Sequence, residues 1–176
     1  MRVIFLAYRK WAIDVFKTIN KNPNLTEMVL CENTKELEKL DLKKFNLLLT
    51  CGTSDKLGKE ILEEIETIGV HCAELDRYSY GSPIQNQIID GVKFTKHRIF
   101  KLSHNENSIR THAHDRLFSH EVDLDLSGNV DDIFSQMTST SIILFNKYLN
   151  DIPNIVWSEW PEEEIIRKKR VPSDSK

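Results

Sequence analysis

Residues 45–75, FNLLLTCGTSDKLGKEILEEIETIGVHCAEL, carry the pattern that decides the fold. A continuous apolar run closes on Cys51 and Gly52. A segment with helical spacing follows over residues 54–68, and the apolar run Gly69–Leu75 comes next. An apolar run of this length without alternation fits a strand covered on both faces. A strand, a helix of ten or more residues and a second strand predict parallel pairing through a right-handed crossover.

The same unit recurs upstream. Val3-Ile4-Phe5-Leu6-Ala7 reads as the first central strand. Trp11, Ala12, Val15, Phe16 and Ile19 then recur at helical spacing until the sequence NKNPN ends the pattern. EMVLCE reads as a strand and TKELEKL as a helix. The fold class expected is therefore α/β: a Rossmann-like, mostly parallel sheet flanked by helices.

After Gly91 the period changes. KFTKHRIFKL and RLFSHEVDLDL alternate and read as strands or a hairpin extending the sheet. Asn129 is placed to cap a final helix, with Asp131 and Asp132 in its first turn and Val130, Ile133, Phe134, Met137, Ile142 and Leu144 at helical spacing. The expected organisation is one domain over residues 1–150 and an extended tail over 151–176. The tail mixes two tryptophans with opposed charge blocks. Trp157 and Trp160 are read as anchors of the tail or of an interface, so a homodimer is among the expected partners.

Composition narrows the function. The 176 residues carry a formal net charge of -3, which argues against a basic nucleic-acid surface. The cysteines Cys31, Cys51 and Cys72 lack CxxC spacing and lie in or beside apolar runs, as reduced core thiols do. MRVIFLAYRKW is too short for a secretory signal, and no segment approaches the roughly 20 apolar residues of a membrane span. A cytoplasmic protein without membrane partners is expected.

Ligands of open α/β sheets bind beyond the carboxyl ends of the strands, which directs attention to His71 and the loop after it. Gly81 suits a sharp turn, Ser82 can cap a helix and Pro83 suits its first position, so GSP opens IQNQII as a helix. On spacing alone, His71 reads as a core histidine beside a surface loop.

The order of segments resembles the formyltransferases that use 10-formyltetrahydrofolate, in particular methionyl-tRNA formyltransferase and the sugar N-formyltransferases. Four segments carry the likeness in the right order. They are residues 46–62; His71 followed by Gly81-Ser82-Pro83-Ile84-Gln85 and Asp90-Gly91; residues 123–134, DLDLSGNVDDIF; and residues 167–176, RKKRVPSDSK. The resemblance implies a folate-dependent N-formyltransferase without the family's C-terminal domain. Its co-substrate would be 10-formyltetrahydrofolate, and its acceptor a small amine such as an amino sugar on a nucleotide carrier, or glycinamide ribonucleotide.

Formyl transfer needs donors for an oxyanion and a route for the amine proton. By resemblance, His71 helps stabilise the oxyanion, a carboxylate orients it, and Tyr78, Gly81, Ser82, Pro83 and Ile84 contact the folate. The carboxylate falls on Asp115, although counting from the preceding strand lands on Asn107 instead. Two positions depart from the family pattern. Gly69 stands where the family has an asparagine, unless Asn86 or a water supplies that donor, and the loop arginine falls on Ser79 or Tyr80.

Two rival readings stay open. One is a binding protein that keeps the pocket and has lost the chemistry. The other is a metal site built from His97, His104, His112, His114 and His120 beside Asp115, Asp123 and Asp125.

Overall fold

In the computed structural model of the chain, the described residues are 1–73, 78, 82–104 and 114–159, with the side chains of residues 114–116 excepted. Ser79, Tyr80, Gly81, Asn107, His112, Trp160 and the basic segment 167–176, all named above, lie outside them. Among the described residues, seven strands form one sheet in the order β2-β1-β3-β4-β5-β6-β7. They are β1 (Arg2–Leu6), β2 (Glu27–Cys31), β3 (Leu47–Thr50), β4 (Thr67–His71), β5 (Phe94–Leu102), β6 (His114–Asp125) and β7 (Ser158–Glu159). The first four pair in parallel, and β4–β5, β5–β6 and β6–β7 are antiparallel. The fold is the mixed, mostly parallel α/β sheet that the apolar runs predict.

Side-chain alternation along β1 explains the layers. Val3, Phe5 and Ala7 pack with Leu47, Leu49 and Ile68 against helices α1 (Lys10–Ile19) and α5 (Val130–Asp151). Ile4, Leu6 and Leu48 face the other way, onto Leu37 of α2 (Thr34–Leu37) and Ile61 of α3 (Lys59–Glu64). Each fully buried Leu, Ile or Phe contributes about 1.5–3 kcal/mol. Exposed ion pairs such as Lys17–Asp14 each give at most about 1 kcal/mol, so the two apolar layers hold the fold.

Helix α1 buries Ala12, Val15 and Ile19, as its period predicts. Helix α5 starts in a capping box: the Asn129 side chain accepts from the Asp132 N–H at 2.9 Å, and Asp132 accepts from the Asn129 N–H. Asn22, in the turn after α1, donates to Asn146 at 2.9 Å and to Asn150 at 3.2 Å, which ties the two helices of this layer together.

The helix expected over residues 54–68 is shorter. It starts after Gly58 and ends at Glu64, and Ile65 already has an extended backbone (φ -137°). Ile65, Thr67 and Ile68 are β-branched, and pairing with β3 draws Thr67 and Ile68 into the sheet. The helix expected over residues 34–40 is likewise confined to Thr34–Leu37. Ser158 and Glu159, in the expected tail, pair with Phe118 and Leu117 of β6. Trp157 stands 6.2 Å from Tyr148, ring centre to ring centre. Among the described residues no helix is long and apolar enough to cross a membrane.

Candidate active site

Strand β4 is the seam of the sheet, parallel to β3 on one side and antiparallel to β5 on the other. His71 is its last residue. Residues paired across a sheet point to the same face, so Thr50, Gly69, His71, Phe100 and Arg98 share the face that carries α2 and α3. Phe100 packs there with Leu102 and with Leu62 of α3. The rings of His71 and Phe100 meet edge to face, with centroids 6.2 Å apart and an interplanar angle of 85°. The Nε2 atom of His71 is buried.

A side chain at position 69 has no room. A Cβ on Gly69 would lie 2.7 Å from Thr50 Oγ1 and 2.8 Å from Phe100 Cζ. Arg98, opposite His71, is turned to Glu121, with its Nε donating at 2.8 Å, and its guanidinium lies 5.1 Å from the centre of the Phe118 ring.

The helix after His71 is α4 (Pro83–Ile89), with Pro83 in its first turn as GSP predicts. Ser82 does not cap it. Ser82 has φ 46°, in the left-handed region, and makes no side-chain cap bond, whereas a capping serine needs an extended backbone. Gln87 fixes the helix instead: its Nε2 donates to the carbonyls of Cys72 and Pro83, each at 3.0 Å. Ile84 is buried with Cys72, Leu124, Leu126, Ile133 and Met137. Tyr78 is 5% exposed and its hydroxyl donates to Asp90 at 2.9 Å, which ties Tyr78 to the end of α4. Asn86 is buried within α4. Asp115 is the second residue of β6, and its side chain lies outside the described residues.

Two features escaped the sequence reading. Strand order reverses between β1 and β3, and the crevice at that switch point is lined by the loops after both strands. There Arg9 Nε donates to the Gly52 carbonyl at 3.0 Å, and the Tyr8 and Ser54 hydroxyls lie 3.2 Å apart. In the sequence, Tyr8-Arg9-Lys10 marks only the end of an apolar run. The second is His97, on the opposite face from His71, which is 1% exposed with Nδ1 2.6 Å from Thr140 Oγ1. Burial first, and the charge of His71 second, push its pKa down to about 3.

His97 and His120, two members of the histidine group considered for a metal, are thus engaged elsewhere: His120 Nε2 is 2.7 Å from Asp151. Among the described residues no three His, Cys, Asp or Glu side chains stand together to hold a metal ion.

The same architecture occurs in solved proteins. Methionyl-tRNA formyltransferase from Clostridium thermocellum is 26% identical, with a TM-score of 0.75 over 97% of this chain and 73% of that one. The chain shares the fold of the formyltransferases. A 4-N formyltransferase from Francisella tularensis matches this chain at 12% identity and a TM-score of 0.70, over 99% of this chain and 84% of that one. HypX from Aquifex aeolicus, solved in complex with tetrahydrofolic acid, matches at 16% identity and a TM-score of 0.72, over 93% of this chain but 28% of that one. No protein-family profile and no curated protein matches the sequence. In the site itself Gly69 of this chain lies beneath Phe100.

Proposed function

We propose that the chain is an N-formyltransferase that takes the formyl group of 10-formyltetrahydrofolate to a small amine. The observation that carries the reading is His71 at the carboxyl end of β4, beside the crevice in which open α/β sheets bind ligands, in a fold shared with formyltransferases. Bound folate would supply an activated formyl carbon: the amine nitrogen bonds to that carbon, the bond from the carbon to the folate nitrogen breaks, and the proton lost by the amine ends on that folate nitrogen.

The chain's own residues fit this in part. The His71 imidazole can donate to, or accept from, a group at the strand end, and Asp115 at the start of β6 is the carboxylate proposed to orient it. Gln87 holds α4 against the strand end, and the segment from Tyr78 to Ile84 is the proposed contact for the folate. Gly69 contributes no donor, which lowers the rate expected. Loss of one oxyanion donor costs about a hundred- to a thousandfold. An amino sugar on a nucleotide carrier is the acceptor proposed, because the net charge of -3 disfavours a transfer RNA.

The test is calorimetric titration with a stable 10-formyltetrahydrofolate analogue, with and without an amino-sugar nucleotide, followed by a turnover assay. Saturable one-site binding and formyl transfer abolished by His71→Ala support the reading. Absence of folate binding by two methods removes it. Binding without turnover for any amine selects the second reading, a folate-binding protein, which the occupied space over Gly69 favours.

A further inference from the structure

The family resemblance places a polar side chain at position 69, and a glycine alone would leave a gap there that water or a ligand could enter. No gap exists. Gly69 pairs directly with Phe100 across the β4–β5 ladder, and the Phe100 ring lies over the glycine, with Cζ 2.8 Å and Cε1 3.0 Å from the position of an added Cβ. Thr50 Oγ1 closes the same space from β3 at 2.7 Å. The distances of 2.7 and 2.8 Å are shorter than real Cβ contacts, so the ring at 100, together with Thr50, excludes a side chain at 69. The same ring meets the His71 imidazole edge to face and is 7% exposed.

We infer that Phe100 is a specificity-determining residue of the candidate site. Its ring takes the room of a residue-69 side chain and sets an apolar aromatic wall beside the His71 imidazole in place of a hydrogen-bond donor. Such a wall selects a ligand that presents a flat or apolar portion beside His71, as a reduced pterin does, over one that needs a neutral amide partner there. The inference rests on the formyl-transfer reading for the identity of that ligand. An aromatic ring laid over a cross-strand glycine also stabilises a sheet, and the experiment has to separate the two roles.

The variants are Phe100→Leu, Phe100→Ala, Gly69→Asn and Gly69→Asn/Phe100→Ala, each checked for folding by circular dichroism and then titrated with 5-formyltetrahydrofolate, a stable reduced folate. Phe100→Leu keeps apolar bulk and removes the ring; it is expected to fold and to bind about tenfold more weakly, in line with the loss of a buried aromatic contact. Gly69→Asn is expected to lower the melting temperature sharply with Phe100 present, and the double variant to melt higher than the sum of the Gly69→Asn and Phe100→Ala losses predicts, with the contact to Thr50 Oγ1 still in place. If Gly69→Asn melts like wild type, the two positions do not share space and the inference is overturned. If wild type and Phe100→Leu bind the folate equally well, the ring serves the sheet alone and the inference falls while the functional reading stands. If wild type binds no reduced folate, the functional reading falls and takes the ligand assignment with it.

Discussion

The Nδ1 atom of His97 lies 2.6 Å from the Thr140 hydroxyl, which in turn donates to the Gln136 carbonyl at 2.8 Å. A hydroxyl has one proton, so with that proton given to Gln136 it accepts from Nδ1–H of a neutral ring. Strand β5 and helix α5 are thus joined through one buried imidazole that works uncharged. In the folded chain its pKa falls from an ordinary 6.5 to about 3.

That shift has a sign. Between about pH 6.5 and about pH 3 the unfolded chain binds a proton at position 97 that the folded chain does not, so the contribution to stability is complete above pH 6.5 and is lost as pH falls toward 3. The steepest part is about 1.4 kcal/mol per pH unit. Replacing His97 with Gln keeps a donor for Thr140 and removes the titration. Urea midpoints measured from pH 7 to pH 4 should fall less steeply in His97→Gln than in wild type; equal slopes would show that the ring does not stay neutral in the fold.

Gly52 has φ 60°, and a Cβ there would meet Trp11 Cζ2 at 2.7 Å and the Ala12 Cβ at 3.2 Å. Both penalties act together in Gly52→Ala: left-handed strain of about 1–2 kcal/mol and overpacking of about 1–3 kcal/mol. Chemical denaturation is expected to show a loss of about 2 kcal/mol or more, and a loss below about 0.5 kcal/mol would contradict the close approach of α1 to the β3 loop.

Cys31, Cys51 and Cys72 are all buried and unbridged. Burial pushes the Cys72 thiol up to about 12 and, with a smaller push from Glu36, the Cys31 thiol to about 11; burial holds Cys51 higher still. Since the thiolate is the reactive form, none should react with a disulfide reagent at pH 8 in the time that the denatured chain reacts completely. One fast-reacting thiol in the native protein would mean that an opening exposes it.

The sequence discloses what depends on burial pattern. Val3–Ala7 and Leu47–Cys51 are apolar without alternation because helices cover both faces of the sheet there, and such runs are hard to mistake. Asn129 was legible as a cap because capping is local chemistry. Ser82 was not, since its backbone is left-handed (φ 46°), a conformation that a serine in the sequence does not announce. His97 could have been found: period two along KFTKHRIFKL puts it with Thr95 and Ile99, both buried, and sets it apart from Lys96 and Arg98. The mutual exclusion of Gly69 and Phe100 depends on register across 30 intervening positions, and no window of one sequence shows it.

Because β4 is bonded to a crossover strand on one side and to the β5–β6 hairpin on the other, the surroundings of His71 come from two parts of the chain that assemble differently. The hairpin closes over a short separation in sequence, whereas the parallel layer must bring β1, β3 and β4 together over a long one. Neither half contains the site. Thr50 arrives with one and Phe100 with the other, so ligand binding at His71 reports that both have docked. A titration with folate would then serve as an assay of completed folding as well as of function.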